Sequence, residues 1–304
     1  MLREETHGGA RRALSLLPLA TALLSACGGT VPGDLLAQIN ARGTLVAGMD
    51  PITLKPDGQR AATTRCTAAQ RTVGELQGFD PDVAAAIADR LGVEPCFVVA
   101  DSFARLTAGH WGGAWDVSVA SMTITTSRQL VLTFTEPYYY TTAQFAAAAG
   151  SGIVRLADLN GKAICTGAGT TYEFFLRGDF ARLGLPPSHI YAQPPTDTQL
   201  VPIANYDACG PALAAGGAAF HAYLTAGFVV IQDLRAGLPI VTVGDPVFSE
   251  DLAVSLDKFG AANSSTLLAR LNENIAALHT DGTLRQLSLQ WFGVDLTVPP
   301  VPAG

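Results

Sequence analysis

Trp115-Asp116-Val117-Ser118-Val119-Ala120-Ser121-Met122-Thr123-Ile124-Thr125-Thr126-Ser127-Arg128 is the stretch that decides how this chain is read. Residues 116–120 are short, β-branched or apolar and read as a buried strand. The chain then runs into hydroxyl side chains, and Thr125 is spaced to N-cap a turn that carries Arg128. Backbone N–H groups, hydroxyls and a guanidinium therefore converge where a parallel strand ends, the usual ligand position of an open α/β sheet. Such a cluster suits a carboxylate, because a guanidinium engages both of its oxygens at once. The competing reading is structural: most arginines are surface ion-pair partners.

On either side, strand-like and helix-like segments alternate, the pattern of an α/β chain with largely parallel sheets. Thr44–Gly48 reads as a first strand, and residues 80–91 as a helix with Asp80 at the N-cap and Pro81 at N1. Val83, Ile87 and Leu91 share one face of that helix, and Gly92 ends it. Strands are expected at Phe97–Val99 and Lys162–Cys165, and helices near 171–183, 208–215 and 264–279. The stretch from Pro51 to Gln77 is polar and aperiodic and reads as a long loop. Residues 296–304 form a Pro-rich tail without a core pattern.

Composition limits the function classes. The chain has 304 residues, 48% of them hydrophobic and only 15% charged, with a formal net charge of −7. It is too apolar for disorder. No run of about 18 apolar residues occurs beyond the N-terminus, which excludes a multi-span membrane protein. With no block of Lys or Arg, phosphate neutralisation has no footing and nucleic acid is excluded as a partner.

The N-terminus reads as an address. Arg3, Arg11 and Arg12 precede an apolar stretch from Ala13 to Ala26 that is short for a bilayer span. It ends in Leu24-Ser25-Ala26-Cys27, which resembles a bacterial lipobox. Residues 1–26 are then a signal peptide and Cys27 carries lipid, anchoring the protein to the membrane outside the cytoplasm. An ordinary signal peptide with a chance cysteine is the alternative. The remaining cysteines, Cys66, Cys96, Cys165 and Cys209, are even in number, which in an exported chain reads as two disulfides. Three pairings are possible and sequence does not choose. If the two halves are separate lobes, the pairings that stay within a lobe are Cys66–Cys96 and Cys165–Cys209. The cysteine and histidine spacings do not suit zinc, and no cofactor is expected.

Four segments together carry a resemblance: Gly78-Phe79-Asp80-Pro81-Asp82-Val83-Ala84; the opening stretch followed by Phe134-Thr135-Glu136-Pro137-Tyr138-Tyr139; Asp158-Leu159-Asn160-Gly161-Lys162 with Gly169-Thr170-Thr171-Tyr172-Glu173-Phe174-Phe175; and Asp281-Gly282-Thr283-Leu284 with Gln290-Trp291-Phe292-Gly293. In order and spacing they resemble the polar-amino-acid family (family 3) of bacterial periplasmic solute-binding proteins, the receptors of ABC importers. The resemblance spans about 35–295. It implies a two-lobe α/β periplasmic-binding-protein fold of type II, with a hinge of two crossovers. Lobe 1 would comprise 34–137 plus 245–304 and lobe 2 would comprise 143–240, with crossovers at 138–142 and 240–245. It implies a monomeric, non-enzymatic receptor that closes on a small carboxylate-bearing solute, an amino acid or analogue, and delivers it to an ABC importer permease.

By the same resemblance Arg128 grips the α-carboxylate, Thr123 adds N–H and hydroxyl, and Ser121 offers a carbonyl to the α-amine. Gly169, Thr170 and Thr171 reach the carboxylate from lobe 2. Independently, Thr170 and Glu173 are spaced as a capping box, S/T-x-x-E. The family's acid for the α-ammonium is missing: it would fall on Leu224 or Ala226. Either the bound molecule lacks an α-amine, or Asp50, at the end of the first strand, compensates; His221 and Tyr223 are further cleft candidates, a core or surface role for them being the alternative. Two other readings remain open. One is a cyclohexadienyl-type dehydratase on the same fold, with Glu173 catalytic. The other is a degenerate sensor or structural lipoprotein.

Overall fold

The computed structural model describes residues 33–50, 76, 78–204, 206–216 and 219–300. The signal peptide, Cys27, Cys66 and nearly all of the expected 51–77 loop lie outside the described residues.

The elements follow in the order α1 (Leu35–Arg42), β1 (Thr44–Met49), α2 (Phe79–Leu91), β2 (Glu94–Val99), α3 (Phe103–Thr107), β3 (Val117–Thr123) and β4 (Leu132–Ala148). Then come β5 (Ala163–Gly167), α4 (Thr171–Leu176), α5 (Phe180–Leu183), β6 (Gln199–Ile203), α6 (Cys209–Ala214), β7 (Ala222–Ala226) and α7 (Gly227–Arg235). The chain ends with β8 (Ile240–Asp257), α8 (Ser265–Thr280) and α9 (Thr283–Phe292). All eight strands share one sheet in the order β2-β1-β3-β8-β4-β7-β5-β6. Pairs β1–β2, β1–β3, β5–β6 and β5–β7 are parallel, while β4 and β8 run antiparallel through the centre.

Strand periodicity sorts side chains onto two covered faces. On β1, Leu45, Ala47 and Met49 join Val83, Ile87, Leu271 and Ile275 in one core, so α2 and α8 pack on that face. Val46 points the other way and joins Leu106, Trp111 and Met122. Beyond β4, a separate core gathers Phe145, Ile164, Phe175, Leu224 and Phe248. Beneath it, Cys165 and Cys209 form a disulfide with Cα atoms 5.9 Å apart. Its 44-residue separation is worth about 4 kcal/mol in the chain-entropy account. Cys96 is also disulfide-bonded.

Several local expectations shift. Asp80 does not cap α2: Gly78 stands at the N-cap with φ 144°, and the Asp80 side chain turns inward. The helix expected over 171–183 is split into α4 and α5 by Gly178, whose φ is 65°, and Asp179 caps the second piece through the Arg182 N–H. The stretches expected as crossovers, 138–142 and 240–245, lie within the continuous strands β4 and β8. Residues 139–142 pair with 249–252, whereas 240–243 pair with 145–148 within the second half. Because the two strands are antiparallel, the part of β8 beside the first crossover lies later in the chain than 240–245. The Pro-rich tail is anchored at its start: Leu296 packs on the first core, and its carbonyl accepts the Tyr140 N–H at 2.8 Å.

Candidate functional site

The stretch that opens the sequence reading ends β3 with an irregularity. The β3–β8 register shifts between Ser118 and Met122, and Ser121 takes a left-handed φ of 47°. For a non-glycine residue this backbone costs on the order of 1 kcal/mol. Its N–H donates to Tyr138 Oη at 3.0 Å. Ser121 Oγ and Tyr138 Oη both donate to the Asp80 carboxylate, at 2.8 and 2.6 Å. Burial pushes the Asp80 carboxyl up to about 6, and the neighbouring Asp50 charge adds to the shift against those hydrogen bonds.

Arg128 is drawn inward and only 6% exposed. Its backbone N–H donates to Thr125 Oγ1 at 3.1 Å, so Thr125 holds the turn as the sequence predicts. The guanidinium donates to the Thr123 carbonyl at 2.9 Å and lies 5.3 Å over the Phe103 ring. An arginine buried this way is not the surface ion-pair partner of the structural reading.

The second hydroxyl-rich turn joins β5 to α4. Gly169 has a φ of 75°, which a glycine adopts without penalty. Thr170 Oγ1 donates to the Gly167 carbonyl at 2.7 Å and accepts the Glu173 N–H at 3.4 Å, so its hydroxyl serves as the cap. Glu173 reaches back one residue further than a capping box requires: Oε2 accepts the Gly169 N–H at 2.7 Å, and Oε1 pairs with Arg177.

A cavity of about 390 Å³ lies between the two turns. Asp50, Ser121, Thr123, Arg128, Thr170 and Thr171 all border it; Gly169 and Glu173 do not. Five carboxylates line it, from Asp50, Asp80, Asp207, Asp233 and Glu250, against the single cation Arg128 among the described residues.

Glu250 escapes the sequence reading. It is 1% exposed and stands on β8 opposite Thr141. Its Oε1 accepts from Thr123 Oγ1 at 2.7 Å and Thr171 Oγ1 at 2.5 Å, and Oε2 accepts from Tyr172 Oη at 2.6 Å. The threonine hydroxyls expected to meet a solute therefore meet this carboxylate. The only sequence sign is a pair of acids, Glu250-Asp251, in a strand from Val247 to Leu256 whose other residues are apolar or serine.

Both expected ammonium-binding positions, Leu224 and Ala226, lie in the second core; only Ala226 also borders the cavity, and neither has a polar side chain. Tyr223 is buried beneath the sheet and donates to Asp233 at 2.6 Å. His221 is exposed and accepts the Ala163 N–H, so neither residue lines the cavity. Among the described residues no group of His, Cys, Asp and Glu forms a metal-binding cluster, and no helix is long and apolar enough to cross a membrane.

Comparison with known proteins matches residues 63–294 to the bacterial extracellular solute-binding proteins, family 3. The L-cystine-binding protein TcyJ of Escherichia coli K12 is 27% identical over 281 residues, 86% of this chain and 88% of its own length. The histidine-binding periplasmic protein of Salmonella typhimurium is 28% identical over 231 residues, 73% of this chain and 82% of its own. Among solved structures, an ancestral arginine-binding protein bound to arginine superposes with a TM-score of 0.63 at 25% identity. That match covers 83% of this chain and 99% of the other.

Proposed function

Because this chain belongs to family 3 of the bacterial extracellular solute-binding proteins, we propose that it is a lipid-anchored extracytoplasmic receptor that hands a small carboxylate-bearing solute, an amino acid or close analogue, to an ABC importer permease. Lipid on Cys27 ties it to the membrane, and it works as a monomer. The observation that carries the reading is the buried Arg128 at the wall of a cavity that turns from both halves of the sheet border. A buried guanidinium is a strong partner for a carboxylate, and the surrounding N–H groups and hydroxyls add hydrogen bonds without adding charge. The relatives named for cystine, histidine and arginine support an amino acid as the solute. The two halves close over it by bending where residues 139–142 lie beside 249–252.

Thermal unfolding with an amino-acid panel tests this. A ligand at about 100 times its Kd stabilises by about 2.7 kcal/mol, which raises the melting temperature by several degrees. Arg128→Ala is expected to abolish that rise. An unchanged rise in the variant rejects the carboxylate assignment.

A further inference from the structure

Four of the five cavity carboxylates have partners that account for them. Asp80 holds Tyr138 and Ser121, Asp233 holds Tyr223, and Asp50 and Asp207 stand at the ends of β1 and before α6. Glu250, like Asp80, is buried, borders the cavity and has only neutral hydroxyls as partners, but of the two it alone joins both turns, through Thr123 and Thr171; among the described residues no cation pairs with it. A buried carboxylate without a positive partner is costly, and three donated hydrogen bonds offset only part of that cost. A carboxylate has about four lone-pair sites, so three hydroxyls leave one for a donor arriving through the cavity.

The placement of the charges supplies the chemistry. Thr123 links the two poles: its carbonyl accepts from Arg128 and its hydroxyl donates to Glu250. A cation and an anion on either side of one residue match the carboxylate and ammonium of a single α-amino acid. The sheet explains why the anion can stand on β8. Ala226 pairs with Ala143 on β4, and Ala143 pairs with Phe248 on β8. Cross-strand partners share a face, and residues two apart on a strand share it too. Glu250 therefore projects on the same face as Ala226, two strands across.

We infer that Glu250 is the specificity-determining carboxylate that receives the solute's amino group. Thr123, Thr171 and Tyr172 act as positioning residues that fix the carboxylate before the solute arrives. The inference rests on the solute-binding reading above and deepens it, from a carboxylate-bearing solute to one that must also carry an amine.

The test uses matched pairs that differ only in the α-amine: L-arginine with 5-guanidinopentanoate, L-histidine with 3-(imidazol-4-yl)propanoate, and L-cystine with 3,3′-dithiodipropionate. Calorimetric titration of the full chain is expected to show the amine member of one pair binding at least about 30-fold more tightly than its analogue. Glu250→Gln removes the charge, keeps the shape, and is expected to cut that affinity by about 30-fold or more while changing the analogue's by less than about threefold. Equal losses for both members, or no loss for either, overturn the assignment to Glu250. If Glu250→Gln does not fold, Glu250→Asp, which withdraws the charge by one methylene, is expected to cost about tenfold for the amine member alone; equal losses again overturn it. Wild-type protein that binds both members of a pair equally overturns this inference and leaves the solute-binding reading standing. Wild-type protein that binds no member of any pair overturns both.

Discussion

Two turns border the cavity with nearly the same side chains, and they spend their stability differently. The turn after β3 runs from Ser121 to Arg128; the turn after β5 runs from Gly167 to Glu173. The first holds a left-handed serine, a buried guanidinium and, beneath it, a carboxyl pushed up to about 6. Each of these costs folding free energy. The second meets more of its needs internally: Thr170 caps α4, Gly169 takes the backbone angle that only glycine adopts freely, and Glu173 is neutralised by Arg177, while Thr171 and Tyr172 donate outward to Glu250. The two turns therefore differ in where their charged side chain goes: Arg128 borders the cavity, and Glu173 turns back onto its own helix start.

That contrast can be broken by substitution, most sharply at Arg128. Arg128→Ala should cost about 2–5 kcal/mol of solute affinity, the range for truncating one partner of a buried charge pair, with little loss of stability in the solute-free protein. Titration calorimetry beside denaturant unfolding separates the two quantities. Comparable losses in both would make Arg128 a structural residue.

The next largest effect is expected at Asp80, and its sign is opposite. Its carboxyl rises from 3.8 unfolded to about 6 folded, so the native state binds more protons between those values. The stabilising contribution is complete below about pH 4 and is lost as pH rises through 6. Asp80→Asn, which removes this titration and keeps an acceptor for Tyr138, should therefore stabilise the protein at pH 7 by on the order of 2–3 kcal/mol. The gain should shrink toward zero near pH 4. Urea titrations at several pH values would show it, and a gain that does not depend on pH would assign the effect to packing instead.

In the second turn the effects should be smaller and fall on stability. Thr170→Ala removes the cap and should cost about 1 kcal/mol of unfolding free energy. Glu173→Gln keeps an acceptor for the Gly169 N–H and loses the charge facing Arg177, so about 0.5 kcal/mol is expected. Solute affinity should move by less than about threefold in either variant. A large affinity loss in Glu173→Gln would erase the distinction between the turns and revive a chemical role for this glutamate.

What the sequence discloses follows from how far apart the interacting residues lie. The strand over 116–120, the Thr125 turn and the Thr170 cap depend on neighbours within a few positions, and all three are legible. Asp80 misleads because Gly-Phe-Asp-Pro looks like a helix start with an aspartate cap. Its side chain instead finds Tyr138, 58 residues away, in a buried site that a cap would leave empty. Glu250 is the extreme case. Its hydroxyl partners Thr123 and Thr171 are 127 and 79 residues distant, and no local pattern links three hydroxyls to one acid across two halves of a sheet. Strand pairing is non-local in the same way: sequence shows where a strand begins, but only pairing shows that residues 249–252, and not 240–245, lie beside 139–142.

The paired passage of β4 and β8 has a mechanical side. Residues 139–142 and 249–252 are not separate tethers but one two-stranded ribbon, and the closure proposed above requires that ribbon to twist or bend as a unit. The ladder between the strands is interrupted around Pro137 and again between Ala143 and Phe145. Those interruptions bracket residues 139–142. Glu250 sits within that section, opposite Thr141, so under the proposed closure a pull on its carboxylate acts directly on the ribbon that bends.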